Sequence, residues 1–249
     1  MKFLKYNDTA IIIPAYNEHE NIRKLIIEIR KKFHSLILVI DDSSSLKTKL
    51  IIKNIHDNNI IHVHRKEKMG RGSAVLFGFK KVFNNFKNIK YFIEMDADLS
   101  HHPRELPDKI KIFLQRRLDL LVSSRYLKNS QIKNWPFRRK VLSKISNILA
   151  KLIIQAPVHD FTNGYRIYSK RAIALILDKC AHSRNDFILL SEIILTLNEN
   201  KLKISEKPTI FIDREKGKSN VNFKLIFNSF IGLFRLMFFK KKYIWVLKI

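Results

Sequence analysis

The chain has 249 residues, 46% of them hydrophobic, with only 6 glycines and 6 prolines, which excludes a disordered protein and suits one large α/β domain with an appendage. Lysine and arginine outnumber aspartate and glutamate by 48 to 22, so the formal charge of +26 predicts partners of opposite sign, such as nucleic acid, anionic lipid or phosphorylated substrates. The single cysteine, Cys180, excludes a disulfide framework and a cysteine-based zinc site.

Strand and helix patterns alternate through the first half of the chain. A short apolar, β-branched run predicts a parallel strand buried on both faces at 9–13, and further strands are predicted at 35–40, 60–64, 91–95 and 120–122. Helical spacing predicts helices at 18–33, with Asn17 as the N-cap, at 47–55 and at 70–82. This alternation predicts a doubly wound, mostly parallel sheet flanked by helices, which is an α/β fold.

The second half is more helical. An apolar stripe of period 3.6 with basic residues beside it predicts a helix over 137–154 that either packs on the core or rests on a membrane. A further helix is expected at 187–197 and an edge strand at 207–212. We expect residues 1–220 to form the main domain and residues 221–249 a basic, apolar tail.

The two ends of the chain bear on its location. The N-terminal MKFLKYNDTAIIIP lacks the apolar core and cleavage site of a signal peptide, so we expect a cytoplasmic protein. Near the other end, Leu225 to Phe239 is the longest apolar stretch, and as a helix it would span about 22 Å, short of the roughly 30 Å hydrocarbon core. It predicts a helix that lies in a membrane surface, followed by Lys240 to Lys242, or one packed on the core.

Polar residues end three of the predicted strands. They are Tyr16-Asn17-Glu18, Asp41-Asp42 and Asp96-Ala97-Asp98. Ligands of doubly wound sheets bind at the carboxyl ends of the strands, so these residues predict a site. Side chains two apart in an extended segment point the same way, so Asp96 and Asp98 can share Mg²⁺ or Mn²⁺, with substrate phosphates completing the coordination. We do not expect His101 and His102 to be ligands, because Mg²⁺ prefers oxygen.

Several motifs carry a family resemblance over residues 9–220. IIIPAYNE, VIDDSSS, KMGRG, EMDADLSHHP and VSSRY resemble, in this order, the family 2 inverting glycosyltransferases, which have the GT-A nucleotide-sugar fold. WPFRRKVLS, DFTNGYRIY and FIDREKGKSN resemble the dolichyl-phosphate mannosyltransferases and their bacterial polyprenyl-phosphate relatives. The resemblance implies transfer of a sugar, mannose from GDP-mannose first of all, from a nucleotide sugar to a polyprenyl or dolichyl phosphate.

The resemblance also implies a role for each matching residue. The donor nucleotide would be held by Pro14, Tyr16, Glu18, Asp42, Ala97 and Arg214. The metal would be held by Asp96, Asp98 and Ser100, and the acceptor phosphate by Arg125, Arg139 and Ser143. Asp96, Asp98, Arg125 and Arg139 would be the catalytic set. Related enzymes either have membrane spans of their own or rely on small membrane partner subunits. This sequence has no convincing span, so the resemblance implies a peripheral protein at the cytoplasmic face of a membrane, with small membrane partner subunits as an open alternative.

Three positions depart from the family pattern. Asn220 stands where a phosphate-loop lysine is expected, Asn163 stands where serine is usual, and Ser100 stands where some relatives have glutamine. The chemistry nonetheless agrees with the residues present. A lipid phosphate is already anionic at neutral pH and needs no general base, while a metal and arginines are needed to manage the negative charge.

Other interpretations remain open from the sequence. Two alternatives within the enzyme class are a donor of the UDP-glucose type and a saccharide acceptor, and a saccharide acceptor would need a base such as Asp160 or Glu192. The charge of +26 alone also fits a nucleic-acid-binding protein. Against that interpretation, the basic residues are spread along the whole chain and no zinc finger or aromatic RNA-binding signature is present, so we expect no nucleic-acid partner.

Overall fold

A computed structural model describes residues 4–43, 45–180 and 186–213. Their strands are β1 (Leu4–Ala15), β2 (Phe33–Asp41), β3 (Ile60–His64), β4 (Tyr91–Glu94), β5 (Leu120–Ser124), β6 (Gln131–Lys133), β7 (Arg166–Ser169), β8 (Ile204–Pro208) and β9 (Ile210–Ile212). Their helices are α1 (Ile22–Arg30), α2 (Lys47–Lys53), α3 (Arg71–Asn85), α4 (Leu106–Gln115), α5 (Phe137–Ile154), α6 (Lys170–Lys179) and α7 (Asp186–Glu199). Among these helices none is both long and apolar enough to cross a membrane.

Seven strands form one sheet in the order β3-β2-β1-β4-β7-β5-β8. All neighbours are parallel except β7, which is antiparallel to β4 and β5. The predicted α/β fold with a mostly parallel sheet is therefore confirmed. The carboxyl ends of the parallel strands β1, β2, β3, β4, β5 and β8 lie at one side of this sheet, which we call the C-terminal edge. Strands β6 and β9 pair in a parallel ribbon of their own.

Alternation along the central strand β1 gives the sheet a core on each face. Ala10 and Ile12 pack in a cluster with side chains of α3, α5, α6 and α7. Ile11 and Ile13 pack in a second cluster with side chains of α1, α2 and α4. Successive side chains of a strand point to opposite faces, so a strand with a continuous apolar run needs helices on both sides. The C-terminal edge is thus held rigidly between two helical layers.

Two predicted boundaries at this edge are wrong. Helix α1 begins at Ile22, and Asn17 is not its cap, because Asn17 has a φ of 59° and its backbone N–H donates to Ser43 Oγ at 2.7 Å. Strand β4 ends at Glu94, and a turn follows in which Leu99 has a φ of 63°. Asp96 and Asp98 therefore lie beyond the strand, and the common side-chain direction predicted for them from an extended backbone does not apply.

Other elements differ in extent. The predicted edge strand at 207–212 divides at Thr209, because β8 joins the large sheet and β9 pairs with β6. The predicted helix at 137–154 matches α5, and the strand at 60–64 matches β3. The expected C-terminal helix and tail lie outside the described residues.

Candidate active site

The C-terminal edge brings together the three polar groups that end the predicted strands. Tyr16 follows β1, Asp42 follows β2 and Asp96 follows β4, and these strands are neighbours in the sheet. The backbone N–H of Asp42 donates to the carbonyl of Ala15 at 3.0 Å, which joins the first two strand ends directly. Pro14 is buried within β1, and Glu18 lies just beyond it, where its carboxylate accepts a hydrogen bond from the Asn21 amide at 2.7 Å.

The loop after β3 contacts Tyr16 and Asp42, two of the predicted nucleotide residues. Arg65 donates from Nε and Nη2 to the two carboxylate oxygens of Asp42, at 2.5 and 2.6 Å. Lys68 places its Nζ 3.9 Å from the centroid of the Tyr16 ring. Neither Arg65 nor Lys68 was predicted as a site residue from the sequence, although both follow a correctly predicted strand. A nucleotide bound at this edge would contact an Asp42 carboxylate that is already paired with Arg65.

Asp41, next to that pair, is an anchor of the sheet edge. It is fully buried, accepts hydrogen bonds from the backbone and hydroxyl of Ser43, and lies 3.2 Å from His62 Nε2. Burial alone would raise the pKa of Asp41, but the hydrogen bonds from His62 and Ser43 outweigh it and lower the pKa. Asp41 therefore stays ionised at neutral pH.

The predicted metal residues follow β4 and offer oxygen ligands. Asp98 is mostly buried, and its Oδ1 accepts the backbone N–H of Ser100 at 3.1 Å, while Ala97 is buried between the two aspartates. Ser100 Oγ is buried with no hydrogen-bond partner in the described residues. Two carboxylates and an unsatisfied hydroxyl suit a hard cation such as Mg²⁺ or Mn²⁺. Across the described residues no group of three or more His, Cys, Asp or Glu side chains forms a ready metal cage, so substrate phosphates would have to complete the coordination.

His101 supports this turn from behind. Its Nδ1 accepts the backbone N–H of Asp96 at 3.1 Å, and its Nε2 lies 2.9 Å from Asn163 Oδ1. Asn163 also donates from Nδ2 to the carbonyl of Ser123 at 2.5 Å. Both ring nitrogens of His101 are thus engaged, which agrees with its exclusion as a metal ligand. The asparagine that replaces the usual serine links this histidine to the end of β5.

Arg71, at the start of α3, contacts the turn that carries Asp96 and Asp98, which we call the metal motif. It was not predicted from the sequence to be a site residue. Its Nε donates to Asp96 Oδ1 at 2.8 Å, and its Nη1 lies 2.7 Å from Glu94 Oε1. Burial would lower the pKa of Arg71, but the charges of Asp96 and Glu94 raise it above its ordinary value. The only sequence signal was its position in the KMGRG motif, which suggested no role.

Arg125 is the most buried of the predicted acceptor residues. Asp160, fully buried, accepts from Arg125 Nε and Nη2 at 2.8 Å each, and Nη2 also donates to Thr162 at 2.7 Å. Burial opposes ionisation of both side chains, but their mutual attraction raises the pKa of Arg125 and lowers that of Asp160. Arg125 is therefore a fixed cation just beyond the end of β5.

The other predicted acceptor residues gather beside Arg125. The guanidinium carbon of Arg139 lies 4.2 Å from the Trp135 ring centroid and that of Arg125 lies 5.2 Å from it. Tyr126 donates its hydroxyl to Ser143 Oγ at 2.6 Å. We call these residues the acceptor cluster: Arg125, Tyr126, Trp135, Arg139 and Ser143.

Aromatic contacts join the acceptor cluster to the metal motif. Trp135 lies edge-on to Phe211 with centroids 5.2 Å apart, and Phe211 lies edge-on to His101 at 5.8 Å. Arg139 also pairs with Asp213, at 2.9 and 3.0 Å from its Nη1 to the two carboxylate oxygens. Arg214, the predicted contact of the donor diphosphate, lies outside the described residues. The edge therefore combines, within a few side chains, a pair of metal-type carboxylates and a pair of arginines suited to a second anion.

The fold and this edge define an α/β protein with a candidate site for a metal ion and two anions, and comparisons with known proteins give the family. The model of glycosyl transferase family 2 matches residues 10–177. The chain belongs to that family and is a glycosyltransferase.

Two curated relatives are similar over most of the chain. The polyprenol monophosphomannose synthase of Mycolicibacterium smegmatis is 33% identical over 218 residues, which are 86% of this chain and 81% of that protein. The dolichol-phosphate mannosyltransferase of Pyrococcus furiosus is 30% identical over 234 residues, which are 92% of this chain and 63% of that protein.

Solved structures confirm the GT-A-like fold. Glucosyl-3-phosphoglycerate synthase of Mycobacterium tuberculosis with uridine diphosphate matches with a TM-score of 0.64 at 14% identity, over 93% of this chain and 80% of that one. The same enzyme with Mn²⁺, uridine diphosphate and glucosyl-3-phosphoglycerate gives 0.64 at 13% identity, over 91% and 78%. At these identities the likeness shows the fold alone.

Proposed function

We propose that this glycosyltransferase transfers mannose from GDP-mannose to the phosphate of a polyprenyl or dolichyl phosphate, with inversion at the anomeric carbon. The observation that supports the proposal is that the acceptor cluster, with two arginines, is joined through Phe211 and His101 to the turn that carries Asp96 and Asp98. The names of the two curated relatives support mannose as the sugar and a lipid phosphate as the acceptor.

The reaction needs no general base in this site. An anionic phosphate oxygen of the acceptor attacks the anomeric carbon, a new carbon–oxygen bond forms, and the bond to the donor diphosphate breaks with its electron pair leaving on GDP. No proton has to be removed. Asp160, a candidate base for a saccharide acceptor, is fully buried, held by both arms of Arg125 and has a lowered pKa, so it is poorly suited to that role.

The charges are arranged to suit two anions. Asp96 and Asp98, with Ser100, would hold Mg²⁺ or Mn²⁺, and such an ion, when bound, neutralises negative charge on the leaving diphosphate. Arg125 is locked in place by Asp160 and Arg139 pairs with Asp213, but the Arg139 side chain is 25% exposed, so it is the more accessible of the two to an incoming phosphate. Arginine suits this position because its planar fork binds two phosphate oxygens at once.

The test is a panel of nucleotide sugars with polyprenyl phosphate, with and without Mg²⁺ or Mn²⁺, scored for radiolabelled sugar that enters the organic phase. We expect transfer from GDP-mannose that depends on the metal. Transfer only from UDP-glucose would contradict GDP-mannose as the donor. Label that moves only to a soluble saccharide would contradict a lipid phosphate as the acceptor.

The same assay tests the acceptor cluster with a variant of Arg139 on α5 and a control variant on α1. Arg139→Ala removes the cation that lies on Trp135, so we expect the KM for polyprenyl phosphate to rise about ten-fold or more, as for loss of a charged hydrogen bond. Arg23→Ala removes an exposed arginine of α1, outside α5 and outside the acceptor cluster, and should leave that KM nearly unchanged. Equal effects of the two variants would argue against a phosphate contact at Arg139.

We further propose that α5 rests on the cytoplasmic face of a membrane, where the acceptor lipid lies. Five large apolar side chains of this helix are exposed: Phe137, Val141, Ile145, Ile148 and Leu152. Exposed basic residues lie among them: Arg138, Lys140, Lys144 and Lys151. An apolar ridge bordered by basic residues suits a bilayer surface with anionic lipid, where each cation contributes about 1 kcal/mol.

Vesicle flotation tests this surface. We expect the purified chain to float with vesicles that contain phosphatidylglycerol, and Leu152→Ser to reduce that binding. Leu50→Ser is the control, because Leu50 is similarly exposed on α2, at 60% against 66% for Leu152. Flotation of the isolated chain would also show that no small membrane partner subunit is required. Equal flotation of the wild type and the Leu152 variant would contradict a role for α5.

A further inference from the structure

Arg71 joins two acidic side chains at the end of β4. Its Nε and Nη2 lie 2.8 and 2.7 Å from Asp96 Oδ1, and its Nη1 lies 2.7 Å from Glu94 Oε1. One planar guanidinium thus bridges Glu94, the last residue of β4, and Asp96 of the metal motif. Lysine, with a single ammonium group, has no fork to make such a bridge.

Glu94 gives this bridge a rigid foundation. Its side chain is fully buried, and its second carboxylate oxygen accepts the hydroxyl of Tyr168, itself fully buried, at 2.6 Å. A buried carboxylate requires a paired cation, and Arg71 is the cation placed against it. The position of Arg71 is therefore fixed from the core, and Asp96 is the more exposed of its two partners, at 28%.

Gly164 leaves the space that the Arg71 guanidinium occupies. A Cβ added at Gly164 would lie 1.8 Å from Arg71 Nη2 and 2.7 Å from its Cζ. The obstacle is the end of a flexible side chain, so an alanine at this position is expected to push Arg71 aside rather than to disrupt the backbone. The glycine of the DFTNGYR motif thus has a local physical explanation.

From these contacts we propose that Arg71 is a positioning residue for the metal motif. The chain Tyr168, Glu94, Arg71 holds the Asp96 carboxylate in the orientation in which it binds the cation, and Gly164 is required for that arrangement. Partners that orient a metal ligand in this way typically change metal affinity about 10- to 100-fold when they are altered. The inference rests on the proposed function, because it assumes that Asp96 binds a metal.

Mn²⁺ affinity tests the proposal without measuring turnover. Free Mn²⁺ is counted by electron paramagnetic resonance during titration of the full-length chain, with GDP or UDP present. Arg71→Lys keeps the charge but loses the fork, and Gly164→Ala keeps Arg71 but displaces it. Both variants retain the positive charge near the metal, so electrostatic repulsion of Mn²⁺ is unchanged. Any change in affinity therefore reports the loss of orientation of the Asp96 carboxylate. We expect each to raise the Kd for Mn²⁺ about ten-fold or more.

Gly78→Ala is the matched control. Its Cβ would lie 2.6 Å from Ile12 Cγ2, inside the core and away from Arg71, so it should lower the melting temperature without changing Mn²⁺ affinity. If Arg71→Lys and Gly164→Ala bind Mn²⁺ as the wild type does, the positioning role is wrong while the proposed function stands. A wild-type chain that binds no Mn²⁺ with either nucleotide would overturn the proposed function, and the positioning role with it.

Discussion

Substitution of Asp160 by asparagine should strongly destabilise the fold, because the residue neutralises a buried arginine. Asp160 is fully buried, the Arg125 side chain is 6% exposed, and two hydrogen bonds of 2.8 Å join them. Asparagine has the same size but no charge. Its amide NH2 group would replace one of the two carboxylate oxygens that accept hydrogen bonds from Arg125, so a donor would face a donor. Breaking a buried ion pair by removing one partner costs about 3–5 kcal/mol. In a chain of this size that corresponds to a melting temperature lower by about 6–20 °C.

Urea and thermal unfolding, followed by circular dichroism at pH 7.5, measure this effect. Asp57→Asn is the control, because Asp57 pairs with Arg30 nearer the surface, where a pair contributes about 1 kcal/mol or less. The pKa of Asp160 is lowered in the folded chain, so its contribution is complete above its unfolded pKa of about 3.9 and is lost as the pH falls through the lower folded value. The difference between wild type and variant should therefore shrink in acid. A loss at pH 7.5 no larger than that of the Asp57 variant would refute this reasoning.

Three further predictions concern other parts of the chain. Asp98→Asn should abolish sugar transfer while the circular dichroism spectrum is unchanged, and retained turnover would remove Asp98 from the metal site. Burial raises the pKa of Cys180 to about 12, so the native chain should not react with iodoacetamide at pH 8, whereas the urea-unfolded chain should; fast labelling of native protein would contradict this burial. Deletion of residues 223–249 should shift protein from the membrane pellet to the soluble fraction, and unchanged sedimentation would mean that the tail does not anchor the chain.

The sequence predicted the elements whose apolar residues follow a clear pattern. The strand at 60–64 and the helix at 137–154 were predicted with their observed bounds, because an apolar run or a 3.6-residue period marks each of them. Strand β7 was not predicted: Arg166–Ser169 has four residues, two of them polar, and it pairs antiparallel through contacts distant in sequence. The division of the last predicted strand at Thr209 likewise depends on which strand each half meets.

The site residues predicted from the sequence are those that belong to recognisable motifs. The residues that were not predicted are those whose only distinguishing feature is a contact formed in the folded chain. Asp96, Asp98 and the arginines of the acceptor cluster belong to recognisable motifs, and the structure places them at one edge. Arg65 and Arg71 carry no signal of their own in a chain with 48 lysines and arginines. Their ion pairs with Asp42 and Asp96 arise only when the strand ends and the start of α3 are brought together.

The most direct test of the central claim is the stereochemistry of the product formed on polyprenyl phosphate. The chain is incubated with GDP-mannose, Mg²⁺ and the lipid phosphate, and the anomeric configuration of the isolated mannosyl phosphate is read by nuclear magnetic resonance. Direct attack by a phosphate held at Arg125 and Arg139 predicts a single product of inverted configuration. A product of retained configuration, or mannose released only to water, would contradict an active site that presents the lipid phosphate to the donor.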